Sequence, residues 1–222
     1  MTAKTTHYPS YDVMALKDEW DSHTKEIVLK RQGPFPKAKF LKKHESMMLA
    51  LIAQHIVYDN RSEILAWVLH HIDQKLQNKI GEAQRKPGTS PEKVLVRQGL
   101  KAMDKLSKQK NDKLFADLGM QEQFELLAAM QLGQAEQIPE WSKIPQKDLF
   151  KKLSELIVGA YYSHPTVWSE IGYGGPAYPR GYVRVEFGLA DPWEAKQEDA
   201  SRSGFAEDSP KREAKATAGE DK

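Results

Sequence analysis

The sequence predicts a mainly α protein: a single-domain bundle of about six helices, then a long ordered loop rich in aromatic residues, glycine and proline, then a disordered tail. Three observations predict it. Apolar residues recur at three- and four-residue spacing in successive stretches that proline and glycine separate. No run of period-two alternation exceeds Tyr182 to Phe187, so at most one short hairpin is expected. The run from Gly159 to Trp193 holds eight of the chain's twenty aromatic residues, with four prolines and several glycines that no regular helix or strand accommodates. A disordered segment would be poor in rings and rich in charge, so this stretch reads as an ordered loop.

The elements follow in order. Residues 1–16 read as an extended arm, because Tyr8-Pro9 and Ser10-Tyr11-Asp12 favour turns. A helix fits Lys17 to Arg31, with Trp20 and Ile27 on one face, and Gly33-Pro34 stops it. The next, Lys42 to Tyr58, places Met47, Met48, Leu51, Ile52, His55 and Ile56 on a buried stripe. Lys42 stands where a hydroxyl cap belongs while Glu45 remains three residues on, so the capping box is half lost. Ser62 caps a third helix to about Ile80, with Gly81 at its end. Ser90-Pro91-Glu92 starts a fourth, running to Lys108. A weaker turn covers Asp112 to Leu118. The fifth helix, Met120 to Gln134, turns Phe124, Leu127, Ala128 and Leu132 inward, and Pro139 and Pro145 bracket an irregular link. The sixth, Gln146 to Tyr162, is the most apolar and is expected at the centre of the core. It feeds directly into the aromatic loop, where Ser163 caps a short helix through Trp168. The domain is thus 17–193, with the loop at 159–193 and a charged tail at 194–222 that lacks the apolar surface to order itself.

Composition excludes several functions. The 222 residues carry a net charge of +2 with basic and acidic residues interleaved, so the strong field that nucleic acid demands is missing. With no cysteine, disulfides, thiolate zinc, iron–sulfur clusters and covalent haem are excluded from this chain. The longest apolar run, Met47 to Ala53, is too short to enter a bilayer as a span. The N-terminus shows no apolar export segment and no twin arginine, so the cytoplasm is the expected compartment unless a partner bearing a twin-arginine leader carries the chain across.

No catalytic constellation emerges. His55, His70, His71 and Asp73 are the best histidine cluster, but His70 and His71 point in different directions and no H-E-x-x-H or E-x-x-H pairing accompanies them, so no metal ligand is assigned. A nucleophile–base pair is unsupported. Gly172-Tyr173-Gly174-Gly175 precedes Pro176 and not a helix N-terminus, which argues against a phosphate loop, and no G-x-G-x-x-G follows a strand. The chain is therefore assigned no catalytic residue and no cofactor of its own. His164 is expected to pin its turn through a ring-nitrogen hydrogen bond, with proximity to a partner's active site as the rival role. The rings and cations of the loop make the candidate partner surface: Tyr161, Tyr162, His164, Trp168, Tyr173, Tyr178, Arg180, Tyr182 and Arg184. Trp168 is expected inward, against the sixth helix, with Tyr178 and Arg180 outward.

An apolar helix, then AYYSHPTVWSEIGYGGP, then a Tyr-Pro-rich exit resembles the gluconate 2-dehydrogenase subunit 3 family, the small subunits of flavin-dependent sugar dehydrogenases. Ala160, Tyr161, His164, Pro165, Trp168, Ile171, Gly172, Tyr173, Gly175 and Pro176 fall on that family's pattern. The upstream stretch HYPSYDVMALKDEWDSHTKEIVLKR is similar to the opening of one soluble branch of it, and together the matches cover residues 7 to 193. The resemblance implies a non-catalytic accessory subunit in a hetero-oligomer. Its large subunit, of the glucose–methanol–choline oxidoreductase type, would hold FAD and oxidise a sugar or polyol. Two rival readings stand beside it: a free-standing helical enzyme with a histidine-based site, and a helical adaptor without a redox partner.

Overall fold

The computed structural model describes residues 6–78, 90–181, 184 and 191–196. Among them lie seven α-helices and four short 3-10 helices, with no strand, so the helical class holds. The expected hairpin over 182–187 and the tail beyond residue 196 lie outside the described residues, and the third helix stops at Gln77 with Asn78 as its C-cap, short of the expected Ile80.

The helices are α1 (Ser22–Leu29), α2 (Lys43–Val57), α3 (Ser62–Gln77), α4 (Glu92–Asn111), α5 (Met120–Leu132), α6 (Gln146–Tyr161) and α7 (Pro165–Ile171). The strongly amphipathic α6 is central, packing on α2, α3, α4 and α5 through Leu149, Leu153, Leu156, Ile157 and Ala160, all buried. Close approach needs small residues. Gly99 of α4 lies under α6, and a Cβ there would sit 2.3 Å from Leu149 Cδ1.

Two helix faces depart from the sequence reading. On α2 the buried residues are Glu45, Met48, Leu49, Ile52 and Ala53, while Met47 is exposed and His55 half-buried. On α5 they are Gln123, Leu126, Leu127 and Met130, and Phe124 and Leu132 face out. Both helices are apolar over more than one face, so periodicity leaves their rotation open and the neighbouring helices set it.

The N-terminal region also departs. Val13–Glu19 is a 3-10 helix capped by Asp12, which accepts from the Met14 N–H, so the extended arm ends before residue 13. Trp20 is extended, and Asp21 then caps α1 by accepting from the His23 and Thr24 N–H groups, so no continuous helix runs from Lys17 to Arg31. The start of α2 keeps the half of its capping box that the sequence retains: Glu45 Oε2 accepts from the Lys42 N–H at 2.8 Å. Buried Asp73 satisfies the approach to that helix, accepting from the Lys39, Phe40 and Leu41 N–H groups at 2.8–2.9 Å. This is a structural role for the one acid in the histidine cluster.

A second, smaller core forms apart from the bundle. Val13, Trp20 and Val28 enclose Trp168, so the N-terminal segment lies against α7 and the aromatic loop.

Candidate functional site

The aromatic loop is built outward from the C-terminal end of α6. Tyr161 is buried there, and its hydroxyl donates to Asp59 Oδ2 at 2.8 Å. Asp59 follows α2, where Arg61 grips it through Nε at 3.1 Å to both oxygens and through Nη2 at 2.6 Å. The same guanidinium reaches Glu170 of α7 with Nη1 and, at 3.0 Å, with Nη2. One arginine therefore ties the α2–α3 turn to α7 by a fork geometry that suits carboxylates. Burial alone would raise the Asp59 pKa, but the hydrogen bonds from Arg61 and Tyr161 hold it well below the usual carboxylate range. Burial and the Asp59 charge push the Tyr161 phenol up.

The turn into α7 is fixed by five more hydrogen bonds. Trp67 Nε1 donates to the Ala160 carbonyl and to Ser163 Oγ, at 2.9 and 3.1 Å. Arg31 Nη1 donates to the Ser163 carbonyl at 2.8 Å. The residue that caps α7 is His164, not Ser163: its Nδ1 accepts from the Thr166 N–H at 3.2 Å, which fixes Nδ1 as the unprotonated nitrogen. Burial lowers its pKa. Trp168 Nε1 donates to the Tyr162 carbonyl at 2.6 Å.

The N-terminal segment then crosses the loop. Thr6 Oγ1 donates to the Glu170 carbonyl, the Val13 N–H to Ser169 Oγ, and the Tyr11 hydroxyl to the Trp193 carbonyl. Gly172 and Gly175 have positive φ, and a Cβ on either would collide with a ring, of Tyr8 or Trp20 respectively.

The predicted surface residues divide. Tyr161, His164 and Trp168 are buried and serve the chain's own packing. Trp168 is inward as expected, but its apolar partners come from the N-terminal segment and not from α6. Arg180 is not outward: its side chain is 8 % exposed, pairs with Glu19 at 3.0 Å, donates to the Gly174 and Pro176 carbonyls and lies 4.9 Å above the Trp193 ring. A guanidinium has five donors, and here the loop's unpaired carbonyls draw it in. Tyr162, Tyr173 and Tyr178 are 51, 40 and 68 % exposed, with Ile171 at 48 %. Arg184 is exposed and its N–H donates to Asp191 Oδ1. Tyr182 lies outside the described residues. What stands at the surface is a set of rings on a loop whose base is locked by buried polar bonds.

The histidines of the sequence cluster do not converge. His55 bonds Gln123 Oε1 at 3.0 Å, whereas His70 and His71 stand beside Phe35 and Trp67. Among the described residues no three His, Cys, Asp or Glu side chains come together as a metal site, and no helix is long and apolar enough to cross a membrane. Sequence reasoning missed Arg31, Asp59, Arg61 and Glu170. Asp59 registers in sequence only as a helix breaker, and nothing local marks it as the partner of a tyrosine 102 residues away.

The profile of the gluconate 2-dehydrogenase subunit 3 family matches residues 43–175, from the first residue of α2 into the aromatic loop, and the chain belongs to that family. No curated protein and no solved structure matches the chain.

Proposed function

We propose that this member of the gluconate 2-dehydrogenase subunit 3 family is the non-catalytic small subunit that stabilises or matures the catalytic flavoprotein of a sugar or polyol dehydrogenase. In this reading the large subunit is of the glucose–methanol–choline type, holds FAD and removes hydride from the substrate carbon. One observation carries the reading. Tyr162, Tyr173 and Tyr178 present ring surface on a loop that the Asp59–Arg61–Glu170 network and the N-terminal segment already hold rigid. Pre-ordered tyrosines bury much area for little lost entropy, which is the character of an interface anchor. The Tyr161 hydroxyl bonded to Asp59 and the His164 Nδ1 bonded to the Thr166 N–H hold the base of the loop in place.

Co-expression with a neighbouring flavoprotein of that type, followed by pull-down and measurement of flavin content and dehydrogenase activity, tests the proposal. The large subunit is expected to accumulate as soluble, flavin-loaded protein only with this chain present. Alanine at Tyr162, Tyr173 or Tyr178 should weaken association by about 2 kcal/mol each, the scale of an interface hot spot. A triple variant that binds and supports activity like wild type places the interface elsewhere. A large subunit equally soluble and active alone removes the accessory role.

A further inference from the structure

Arg31 is a half-buried cation without a carboxylate beside it. Its one hydrogen bond goes to the Ser163 carbonyl, its guanidinium carbon lies 5.1 and 5.9 Å from the Trp168 and Trp67 ring centroids, and among the described residues it forms no ion pair. Burial lowers its pKa. A desolvated charge ordinarily has a counter-ion, because removal from water is costly unless something opposite replaces the solvent.

Arg31 opens onto a cleft of about 520 Å³ between the Gly33–Pro36 loop and α3, within the size range of small-molecule sites. Phe35 and Trp67, 5.9 Å apart, make an apolar wall, and His70, His71 and Gln74 line the floor. His70 stacks on Phe35 at 4.9 Å and His71 lies 5.3 Å from the Trp67 ring, yet neither imidazole makes a hydrogen bond among the described residues. No aspartate or glutamate lines the cleft. The nearby acids are engaged elsewhere: Asp73 accepts three backbone N–H groups, and Glu26 pairs with Lys30.

We propose that this cleft binds a small organic carboxylate with a flat apolar body, its carboxylate against Arg31 and the two imidazoles and its body along Phe35 and Trp67. The Arg31 guanidinium, which has no anion beside it, specifies the charge, the neutral imidazoles add hydrogen-bonding capacity, and the ring wall specifies more than a bare inorganic ion. The cleft is small and concave, so a free small molecule fits it better than a protein surface.

Isothermal titration of the full chain with benzoate tests this, with benzamide as the neutral isostere and sulfate as the anion without a ring. Benzoate is expected to bind, and benzamide and sulfate at least about tenfold more weakly, the factor a charge-assisted hydrogen bond supplies. Arg31→Gln should lower benzoate affinity by about tenfold. Because Arg31 also holds the Ser163 carbonyl, His71→Gln is the second variant. That change breaks no hydrogen bond among the described residues, and above about pH 7, where this imidazole is neutral both folded and unfolded, it should weaken benzoate about threefold or more while leaving the unliganded melting temperature unchanged. The proposal is overturned if benzoate shows no binding up to about 10 mM, if benzamide or sulfate binds as tightly, or if both variants titrate like wild type. The titration needs no partner subunit, so its failure leaves the accessory-subunit reading standing.

Discussion

The hydroxyl of Tyr161 and the carboxylate of Asp59 meet at 2.8 Å across 102 residues of chain, joining the end of α6 to the turn between α2 and α3. Asp59 is buried and charged, so it depends on every donor it has. Tyr161→Phe is expected to cost about 1–2 kcal/mol in thermal unfolding, and Asp59→Ala about 3–5 kcal/mol because Arg61 and Tyr161 lose their common acceptor. If Tyr161→Phe melts with wild type, the hydroxyl is not a structural donor.

Arg180 and Tyr178 give a contrast two residues apart. Arg180→Ala removes two loop-carbonyl bonds and the stacking on Trp193, so it should destabilise the lone chain by about 1–2 kcal/mol. The pair with half-exposed Glu19 adds little. Tyr178→Ala, at a largely exposed ring, should leave the melting curve within about 0.5 kcal/mol. Equal melting of the two variants would place Arg180 at the surface after all.

Gly172 ends α7 at φ 74°, and a Cβ there would come within 2.5 Å of the Tyr8 ring. Gly172→Ala should therefore lose about 1–2 kcal/mol from the left-handed backbone and also lift the N-terminal segment. The second effect is readable by limited proteolysis, as faster cutting near Tyr8 than in wild type. Unchanged cutting would show that the segment does not depend on this contact.

Burial lowers the pKa of His70, His71 and His164 below the ordinary imidazole value of 6.5. The unfolded chain then takes up protons first, so the stability these groups allow is full above about pH 6.5 and is lost as pH falls through their folded values. The melting temperature should drop between about pH 7 and pH 5, and His71→Gln should flatten that slope. A profile level across this window contradicts the assignment of these imidazoles as neutral in the folded chain.

Local pattern was enough to place the run of helices, the stop at Gly33-Pro34, the irregular link that begins at Pro139, and the central position of α6, one face of which is far more apolar than the other. It also marked residues 159–193 as the loop of interest through the density of rings. Tertiary structure alone decided how α2 and α5 are rotated, since Met47 against Met48 and Phe124 against Leu126 are equivalent to any local pattern and only the neighbouring helices distinguish them. It also decided which side chains of the loop point inward. Arg180 turned in because carbonyls of an irregular loop need donors, and Trp168 found its cover in Val13, Trp20 and Val28, far away in sequence. Such choices rest on desolvation and on hydrogen bonds between distant residues, and neither leaves a periodic trace in the chain.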